Sequence, residues 1–246
     1  MKYLKEFNTH NNYLDYKNGS IFAELKSDSV SYCKLQKDVH FDKYILETKL
    51  VCKYNVTDTS NSIQLISGFE SNIFNSMEID GNLLNELVTH YTFETEGIHT
   101  VKYELYDNTK IGNSAPVFYS SDLIEATIPD GVTNICDNSF VSCSRLTNVS
   151  IPNSVINIGN NAFSGCVYLE TITIPNNITI IGDKAFQGCG NITSITINAI
   201  TPPALGTYTF ANTNNCPIYV PAESVETYKA AIGWGEYADR IQAISE

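Results

Sequence analysis

The C-terminal half of the chain repeats one pattern of hydrophobic and polar positions every 23 residues. Segments that begin at Leu123, Leu146 and Leu169 align without gaps, and a fourth, beginning at Ile192, follows the pattern only at its start. The shared pattern is L-x-x-(I/V/A)-x-I-P-x-x-(V/I)-x-x-I-(G/C)-x-x-(A/S)-F-x-x-C. This period predicts a solenoid, because one such unit cannot close a hydrophobic core and must stack on its neighbours.

Each position of the repeat has a physical role in such a coil. In the third unit, Ile172 and Ile174 alternate with polar residues, which predicts a short strand with both isoleucines inward. Pro175 ends the strand, because proline cannot donate a hydrogen bond to a ladder. Gly182 allows neighbouring coils to approach closely, and Phe186 is predicted to fill the returning side of the coil.

The cysteines at the last position of the repeat, Cys143, Cys166 and Cys189, are evenly spaced. Equal positions in successive coils stack about 4.8 Å apart, so the spacing predicts a buried column of small apolar thiols. A ladder of disulfides or metal ions is the alternative, and it is disfavoured because no histidine or acid recurs beside the cysteines. The seven cysteines include no CxxC pair, which excludes zinc ribbons and thioredoxin-type motifs.

The phrase I-P-x-x-V-x-x-I-G-x-x-A-F-x-x-C resembles the BspA-type leucine-rich repeat, the treponemal or type-5 class, over residues 111–246. The resemblance implies a curved right-handed solenoid that serves adhesion or protein binding and carries out no catalysis. Cys136 stands where the later units have Gly159 and Gly182. The first coil is therefore expected to be less regular than the others.

Both ends of the repeat array carry signals of their own. Residues 111–115 echo residues 158–162, which predicts a half-coil ahead of the first full repeat. Residues 216–221 predict a last strand and residues 222–232 a short helix, which together begin the cap that a solenoid needs over its open core. The apolar residues expected to line this cap are Val225, Tyr228, Ile232, Trp234, Tyr237 and Ile241.

Ahead of the repeats, short alternating runs predict four or five strands within residues 45–107. An Asp-Gly pair at 80–81 is a hairpin signal, and the strands and turns together predict a small β-sandwich, immunoglobulin-like in the loose sense. Residues 1–44 are predicted to hold a helix and short strands, and they resemble an N-terminal module of structural proteins from phages of gut Bacteroides-type bacteria. The predicted fold is mainly β: a sandwich, a leucine-rich-repeat solenoid over 108–215, and a helical and strand cap over 216–246.

Charge is sparse and one-sided, since 15 basic and 27 acidic residues give a net charge of −12. Such a surface repels phosphate backbones, so nucleic-acid binding is disfavoured. No stretch approaches the roughly 18 apolar residues of a membrane span, and the N-terminus lacks the apolar core of a signal peptide. If the chain begins at its natural start, it is expected to be made without an export signal.

Catalytic chemistry has no candidate residues in the sequence. The patterns of the nucleophile elbow, the phosphate-binding loop, the zinc protease and the dinucleotide site are all missing. His90 and His99 could face each other across a turn at Gly97 and bind a metal, but strand-surface histidines are far commoner. We therefore expect no enzyme activity, no cofactor and no metal site.

Two surfaces are candidate binding sites. The first is the outward side of the stacked strands, called the strand face below and formed by Glu125, Thr127, Asn148, Ser150, Thr171, Thr173, Ser194 and Thr196. Horseshoe-shaped repeats usually dock partners there, but this face lacks the Tyr, Trp and Arg of binding hot spots, so a merely solvated sheet is the alternative. The second is an aromatic platform for sugars on the cap, formed by Tyr208, Trp234 and Tyr237. The alternative places these aromatic residues in the core of the cap.

Together these features predict a non-enzymatic structural and adhesion protein. The first hypothesis is a phage virion component, of surface or fibre type, in which residues 1–44 contact other virion proteins. Its repeats would then face a host protein or a cell-surface glycan. The alternative is a bacterial cell-surface or secreted adhesin of the BspA type. Membrane insertion is not expected, and a homo-oligomer is left open because phage fibres are often trimeric.

Overall fold

The computed structural model describes residues 49–67, 73–106, 109–112 and 117–245. The chain divides near residue 45, and Leu46–Glu246 forms one compact unit. The expected attachment module, residues 1–44, lies outside the described residues. Within the described ranges the fold is mainly β, as predicted, and α-helix is confined to the C-terminal cap.

Short strands follow one another along the chain and assemble into two large sheets and two small ones. They are β1 (Lys49–Val56), β2 (Ile63–Gln64), β3 (Phe74–Ile79), β4 (Asn82–Leu83), β5 (His90–Tyr91), β6 (Gly97–Leu105), β7 (Lys110–Ile111), β8 (Leu123–Thr127), β9 (Asn134–Ile135), β10 (Asn148–Ser150), β11 (Asn157–Ile158), β12 (Thr171–Ile174), β13 (Ile180–Ile181), β14 (Ser194–Ile197), β15 (Ala204–Leu205), β16 (Ile218–Val220) and β17 (Ile241–Ala243). The sheet orders are β10-β8-β1-β6-β3-β4, β15-β13-β11-β9-β7, β12-β14-β16-β17 and the ribbon β2-β5.

The immunoglobulin-like sandwich expected over residues 45–107 is not shown. Instead, β1, β3, β4 and β6 form an antiparallel sheet that continues directly into the repeats, because β1 also pairs with β8. Alternate residues of β1 are buried, as the sequence pattern requires of a sheet with one covered face. The antiparallel strands therefore extend the sheet that the first repeat begins, and they cover the strand edge that β8 would otherwise expose.

The repeats form the predicted stack of coils. Their returning strands β7, β9, β11, β13 and β15 pair in parallel, each with the same residue of the next coil. The pairing of Ile111 with Ile135 confirms the half-coil expected ahead of the first full repeat. Neighbouring coils thus share one register along the whole returning sheet.

The inside of the solenoid is filled by two columns that the repeat predicts. One is a stack of rings with centroid separations of 5.0, 5.2, 5.3 and 5.8 Å and interplanar angles of 15° or less, formed by Phe118, Phe140, Phe163, Phe186 and Phe210. The other is the column of thiols, in which Cys143, Cys166 and Cys189 are fully buried and free. Each of these thiols donates a weak hydrogen bond, 3.3–3.4 Å long, to a backbone carbonyl of the preceding coil.

A glycine in each later coil lets the backbones meet. A Cβ atom on Gly182 would lie 2.7 Å from the backbone nitrogen of Asn160, and one on Gly206 would lie 2.3 Å from that of Asp183. Such distances are shorter than any real side chain tolerates. The predicted role of Gly182 is thereby confirmed.

Replacing Gly182 by alanine should therefore destabilise the protein, because the new methyl group forces two coils apart. We expect a loss of about 1–3 kcal/mol in the free energy of unfolding, the usual cost of overpacking. The matched control is Gly190→Ala, since a Cβ atom at Gly190 would meet nothing within 4 Å. Guanidinium denaturation followed by circular dichroism measures both variants, and equal midpoints for the two would contradict the close-approach role.

The cap closes the stack with side chains that take the place of a missing next coil. The indole Nε1 of Trp234 donates to the carbonyl of Pro203 over 2.9 Å. One coil earlier, the equivalent carbonyl of Thr179 accepts the backbone N–H of Ala204 over 2.8 Å, so the indole replaces a backbone donor. The hydroxyl of Tyr228 donates to the carbonyl of Ala199 over 2.7 Å. The end of the solenoid is thus covered and hydrogen-bonded.

The cap helix is shorter than predicted, and one of the three residues predicted to face inward is exposed instead. After a single 3-10 turn over Ala222–Ser224, the helix α1 spans only Val225–Ala230. Tyr228 is buried as predicted, but Ile232 is 97% exposed. The chain leaves the helix at Ala231 and then turns through Gly233 at φ 83°, so helical periodicity no longer applies at position 232.

Candidate binding face

The stacked strands place all eight predicted strand-face residues on one outward surface. Their neighbours on the same strands, such as Ala126, Val149 and Ile172, are buried, because successive residues of a strand point to opposite faces. Ladder pairs join these residues into two rows, the first formed by Glu125 with Asn148 and Thr171 with Ser194, and the second by Thr127 with Ser150 and Thr173 with Thr196. The second row continues through Tyr219 to Gln242.

The sheet beneath this face is interrupted between β10 and β12. β10 ends the sheet that begins in the antiparallel strands, whereas β12 begins a separate four-stranded sheet. Just before the two strands, backbone hydrogen bonds still join the coils, from Tyr168 N–H to the Ser144 carbonyl at 3.0 Å and from Glu170 N–H to the Thr147 carbonyl at 3.3 Å. We call this interruption the seam, and it divides the strand face into two halves.

Most polar side chains of the strand face have unused hydrogen-bonding capacity. Within the part of the chain that the structure describes, seven of the eight make no side-chain hydrogen bond or ion pair: Thr127, Asn148, Ser150, Thr171, Thr173, Ser194 and Thr196. Of these seven, Ser194 and Thr196 are half-buried, and the others are exposed. The eighth, Glu125, contacts Lys53. Hydroxyl and amide groups on this face are therefore free to meet water or a partner.

Polar side chains beside the returning sheet, unlike those of the strand face, form hydrogen bonds between successive coils. Oδ1 of Asp137, Asn160 and Asp183 accepts the backbone N–H of the equivalent residue in the next coil, at 2.7, 2.8 and 2.6 Å. The backbone N–H and the hydroxyl of Thr207 both donate to Asp183, and they lower the pKa of its carboxyl group. These side chains support the stack, whereas those of the strand face do not.

Formal charge on the sheet is concentrated at its N-terminal end, where it is internally paired. Lys49 and Lys102 contact Glu78 at 3.1 and 3.5 Å, and Lys53 contacts Glu125 at 2.7 Å. The hydrogen bond that Lys49 donates lowers the pKa of Glu78. Beyond Glu125, the two rows of the strand face are neutral up to Tyr219.

Comparison with known families agrees with this architecture. The sequence profile described as the BspA type leucine rich repeat region matches the chain in six copies, over residues 21–147 and 109–231. The chain belongs to the BspA-type leucine-rich repeat family. Proteins built from such repeats are generally non-enzymatic binding proteins. The match begins well ahead of the first coil predicted from the sequence, and it includes the antiparallel strands.

Solved structures similar to this BspA-type protein include two from bacteria. A leucine-rich repeat protein from Bacteroides ovatus is 26% identical, with a TM-score of 0.40 over 51% of this chain and 31% of that one. The pneumococcal vaccine antigen PcpA is 18% identical, with a TM-score of 0.40 over 58% of this chain and 45% of that one. The chain thus spans less than half the length of either. No protein of curated function matches it, and no helix among the described residues is long and apolar enough to cross a membrane.

The aromatic platform expected on the cap of this BspA-type protein is wrong for two of its three residues. Trp234 is fully buried and Tyr237 almost so, because both rings pack against Phe210 at the end of the ring stack. Tyr208 is 60% exposed and lies at φ 56°. The alternative interpretation, in which most of these residues form the core of the cap, is therefore the correct one.

The two strand histidines weighed as a metal pair make other contacts. Nδ1 of His99 lies 2.6 Å from the carboxylate of Asp80, and its Nε2 lies 2.9 Å from the carbonyl of Thr95. His90 instead contacts the hydroxyl of Thr89. Among the described residues, no group of three or more His, Cys, Asp or Glu side chains could hold a metal ion.

The thiols of the column are poorly reactive. Burial raises the pKa of the Cys143 and Cys189 thiols to about 12, and it raises that of Cys166 well above its ordinary value. A low-dielectric interior disfavours the thiolate, which is the form that attacks electrophiles and binds metals. The column is therefore part of the hydrophobic core.

Iodoacetamide at about pH 8 should leave Cys143, Cys166 and Cys189 unmodified in the folded protein, because reaction needs an accessible thiolate. The same three residues should react once the protein is unfolded in guanidinium. Peptide mapping by mass spectrometry measures modification at each position, with the half-buried Cys136 as the internal comparison. Modification of the three buried thiols at the rate of Cys136 would contradict the buried column.

Sequence reasoning missed the exposed residues at the turn before each strand. Val167 and Tyr168 are 40% and 53% exposed, and the half-exposed guanidinium of Arg145 lies 3.9 Å from Asp122. A usable signal was present, since Val167 and Tyr168 are apolar where the neighbouring coils have polar or small residues. Aligned repeats reveal the positions that they share, and a residue that differs in one repeat alone does not stand out.

Proposed function

We propose that this chain is a non-enzymatic binding protein whose strand face receives a protein partner. The observation that carries the proposal is the contrast between two sets of polar side chains. Those beside the returning sheet are consumed in hydrogen-bonded ladders, whereas Asn148, Ser150, Thr171 and Thr173 are exposed with their donors and acceptors unused. Polar groups that do not support the fold are available for recognition at no cost to stability.

Placing charge on the neutral face tests this function. The double variant Thr171→Lys/Thr173→Lys puts two ammonium groups on a neutral surface, and we expect it to weaken binding by about tenfold or more, since a buried unpaired charge costs at least 1.4 kcal/mol. The matched control is Asn198→Lys/Thr201→Lys, two exposed residues outside the strand face. The probe is the labelled full chain, bound to a panel of intact gut Bacteroides-type cells and measured by flow cytometry.

Retained binding by the strand-face variant, or equal loss in both variants, would contradict the proposal. Failure of the parent chain to bind any cell of the panel would also count against it. Circular dichroism of each variant confirms that the fold is intact before binding is measured. All three outcomes are decided in one experiment.

For its location, we propose a phage particle, to which residues 1–44 attach the chain. Support comes from the resemblance of these residues to an N-terminal module of phage structural proteins. Deleting them should abolish incorporation into particles and leave the circular dichroism of the remainder unchanged. Immunogold labelling of purified particles and of intact bacteria decides between this location and the alternative, a bacterial cell-surface or secreted adhesin. Gold on bacteria alone would overturn the virion location.

A further inference from the structure

We propose that the protein partner is anchored at the seam, where Tyr168 and Arg145 contact a partner loop that presents a carboxylate beside an apolar side chain. This inference rests on the proposed function and names the turn residues beside the strand face that hold the partner most tightly. Three features converge on this place: the interruption of the sheet, a half-exposed aromatic residue and a half-exposed guanidinium group.

The turn before each strand provides the first argument. The residue immediately before the strand-starting leucine or isoleucine is Asp122, Arg145, Tyr168 or Asn191 in successive coils. Backbone hydrogen bonds repeat at this turn whatever the side chain is, since Tyr168 N–H donates to Ser144 and Asn191 N–H donates to Val167, each over 3.0 Å. The coil therefore does not require an aromatic side chain at position 168.

Exposure provides the second argument. Tyr168 is 53% exposed and follows Val167, which is 40% exposed, whereas the equivalent pairs in the neighbouring coils are Ser-Arg and Gly-Asn. A partner that covered these two neighbouring side chains would remove their apolar surface from water, which favours binding. Tyrosine and arginine are also the residue types that dominate the energy of protein interfaces.

Charge provides the third argument and defines the partner. The guanidinium of Arg145 lies 3.9 Å from Asp122, beyond the length of a direct hydrogen bond, so its donors are available. A carboxylate can take two of those donors at once, which favours arginine over lysine at such sites. A partner side chain that is acidic and lies next to an apolar one fits both Arg145 and Tyr168.

The seam provides the fourth argument. Exposed polar side chains lie on both of its sides, Asn148 and Ser150 on β10 and Thr171 and Thr173 on β12. No strand ladder joins β10 to β12, so the two halves of the face meet there without the backbone pairing that joins the strands on either side. Tyr168 and Arg145 stand at the end of this seam, surrounded by groups that can form the polar rim of an interface.

Single substitutions in the full chain test the anchors, with the cell-binding measurement described above. Tyr168→Ser and Arg145→Gln should each weaken binding by about tenfold or more, the usual effect of removing a hot-spot residue. The matched control is Tyr208→Ser, which removes a tyrosine of similar exposure, 60%, outside the strand face. Unfolding midpoints of the anchor variants should equal that of the parent, which separates lost contacts from lost structure.

The outcomes distinguish this inference from the proposed function. If Thr171→Lys/Thr173→Lys loses binding while both anchor variants bind like the parent, the face is correct and the anchor assignment is overturned. If Thr171→Lys/Thr173→Lys binds like the parent, the proposed function itself fails. Binding that survives protease treatment of the cells but is lost after periodate oxidation would identify a glycan and overturn the protein partner.

Discussion

Replacing Phe163 by alanine should destabilise the protein by about 3–5 kcal/mol, the usual cost of removing a buried phenylalanine. Its ring is fully buried between Phe140 and Phe186, with centroid separations of 5.2 and 5.3 Å. The variant loses the transfer free energy of the ring and leaves a cavity that the neighbouring rings cannot fill. Because each coil contacts only its neighbours, both interfaces of the middle coil weaken together.

Guanidinium denaturation followed by circular dichroism measures this effect. The matched control is Tyr168→Ala in the same coil, which removes an aromatic ring that is half exposed and should change the free energy of unfolding by less than about 0.5 kcal/mol. A loss of under about 1 kcal/mol for Phe163→Ala would mean that the ring stack does not hold the coils together.

Replacing Trp234 by alanine should cost a similar amount, about 3–5 kcal/mol, because it opens the end of the solenoid. Trp234 is fully buried against Phe210 and Tyr228, and its indole nitrogen donates to the carbonyl of Pro203 over 2.9 Å. Trp234→Phe retains much of the packing and removes the donor. That variant should lose about 1–3 kcal/mol, the cost of a buried carbonyl left without a partner.

Circular dichroism is the appropriate signal here, since Trp234 is the only tryptophan of the chain and its fluorescence disappears with the substitution. The control is Ile232→Ser, two residues earlier, where the side chain is 97% exposed and should contribute little. If Trp234→Ala were no more destabilising than Ile232→Ser, the C-terminal segment would not act as a cap.

The sequence predicts the solenoid well because every coil supplies an independent copy of the same constraints. Cys166 and Phe163 recur in step with their equivalents, so a buried column is the one arrangement that satisfies all copies. The outward direction of Thr171 and Thr173 follows from simple alternation with buried isoleucines. A core position for Trp234 follows from the need to close the stack, because a large buried ring covers the last coil. The same position removes the ring from any binding platform.

The arrangement of the N-terminal strands could not be predicted in the same way. Alternation along Lys49–Val56 indicates a strand with one buried face, but it carries no information on which strand lies beside it. The partners are Gly97–Leu105 and Leu123–Thr127, both far along the chain. A sandwich and an extension of the repeat sheet bury the same residues of this strand, so only the three-dimensional pairing distinguishes them.

The anchors at the seam were missed for a different reason. Tyr168 lies at a position where the repeat specifies no residue type, and exposure there cannot be inferred from a pattern of buried positions. The structure adds the missing information, because it shows that Tyr168 is 53% exposed and that Arg145 occupies the equivalent position in the preceding coil. The sequence signal of these residues is their departure from the repeat at an exposed turn.

The most direct test of the account is a photo-crosslinking measurement of where the partner sits. A benzophenone side chain placed at Thr173 of the full chain should give a covalent adduct on the cells it binds, and the adduct should be sensitive to protease. The same group at Thr201, which is also exposed but lies outside the strand face, should give none. Adducts from position 201 with none from position 173 would contradict a binding site on the strand face.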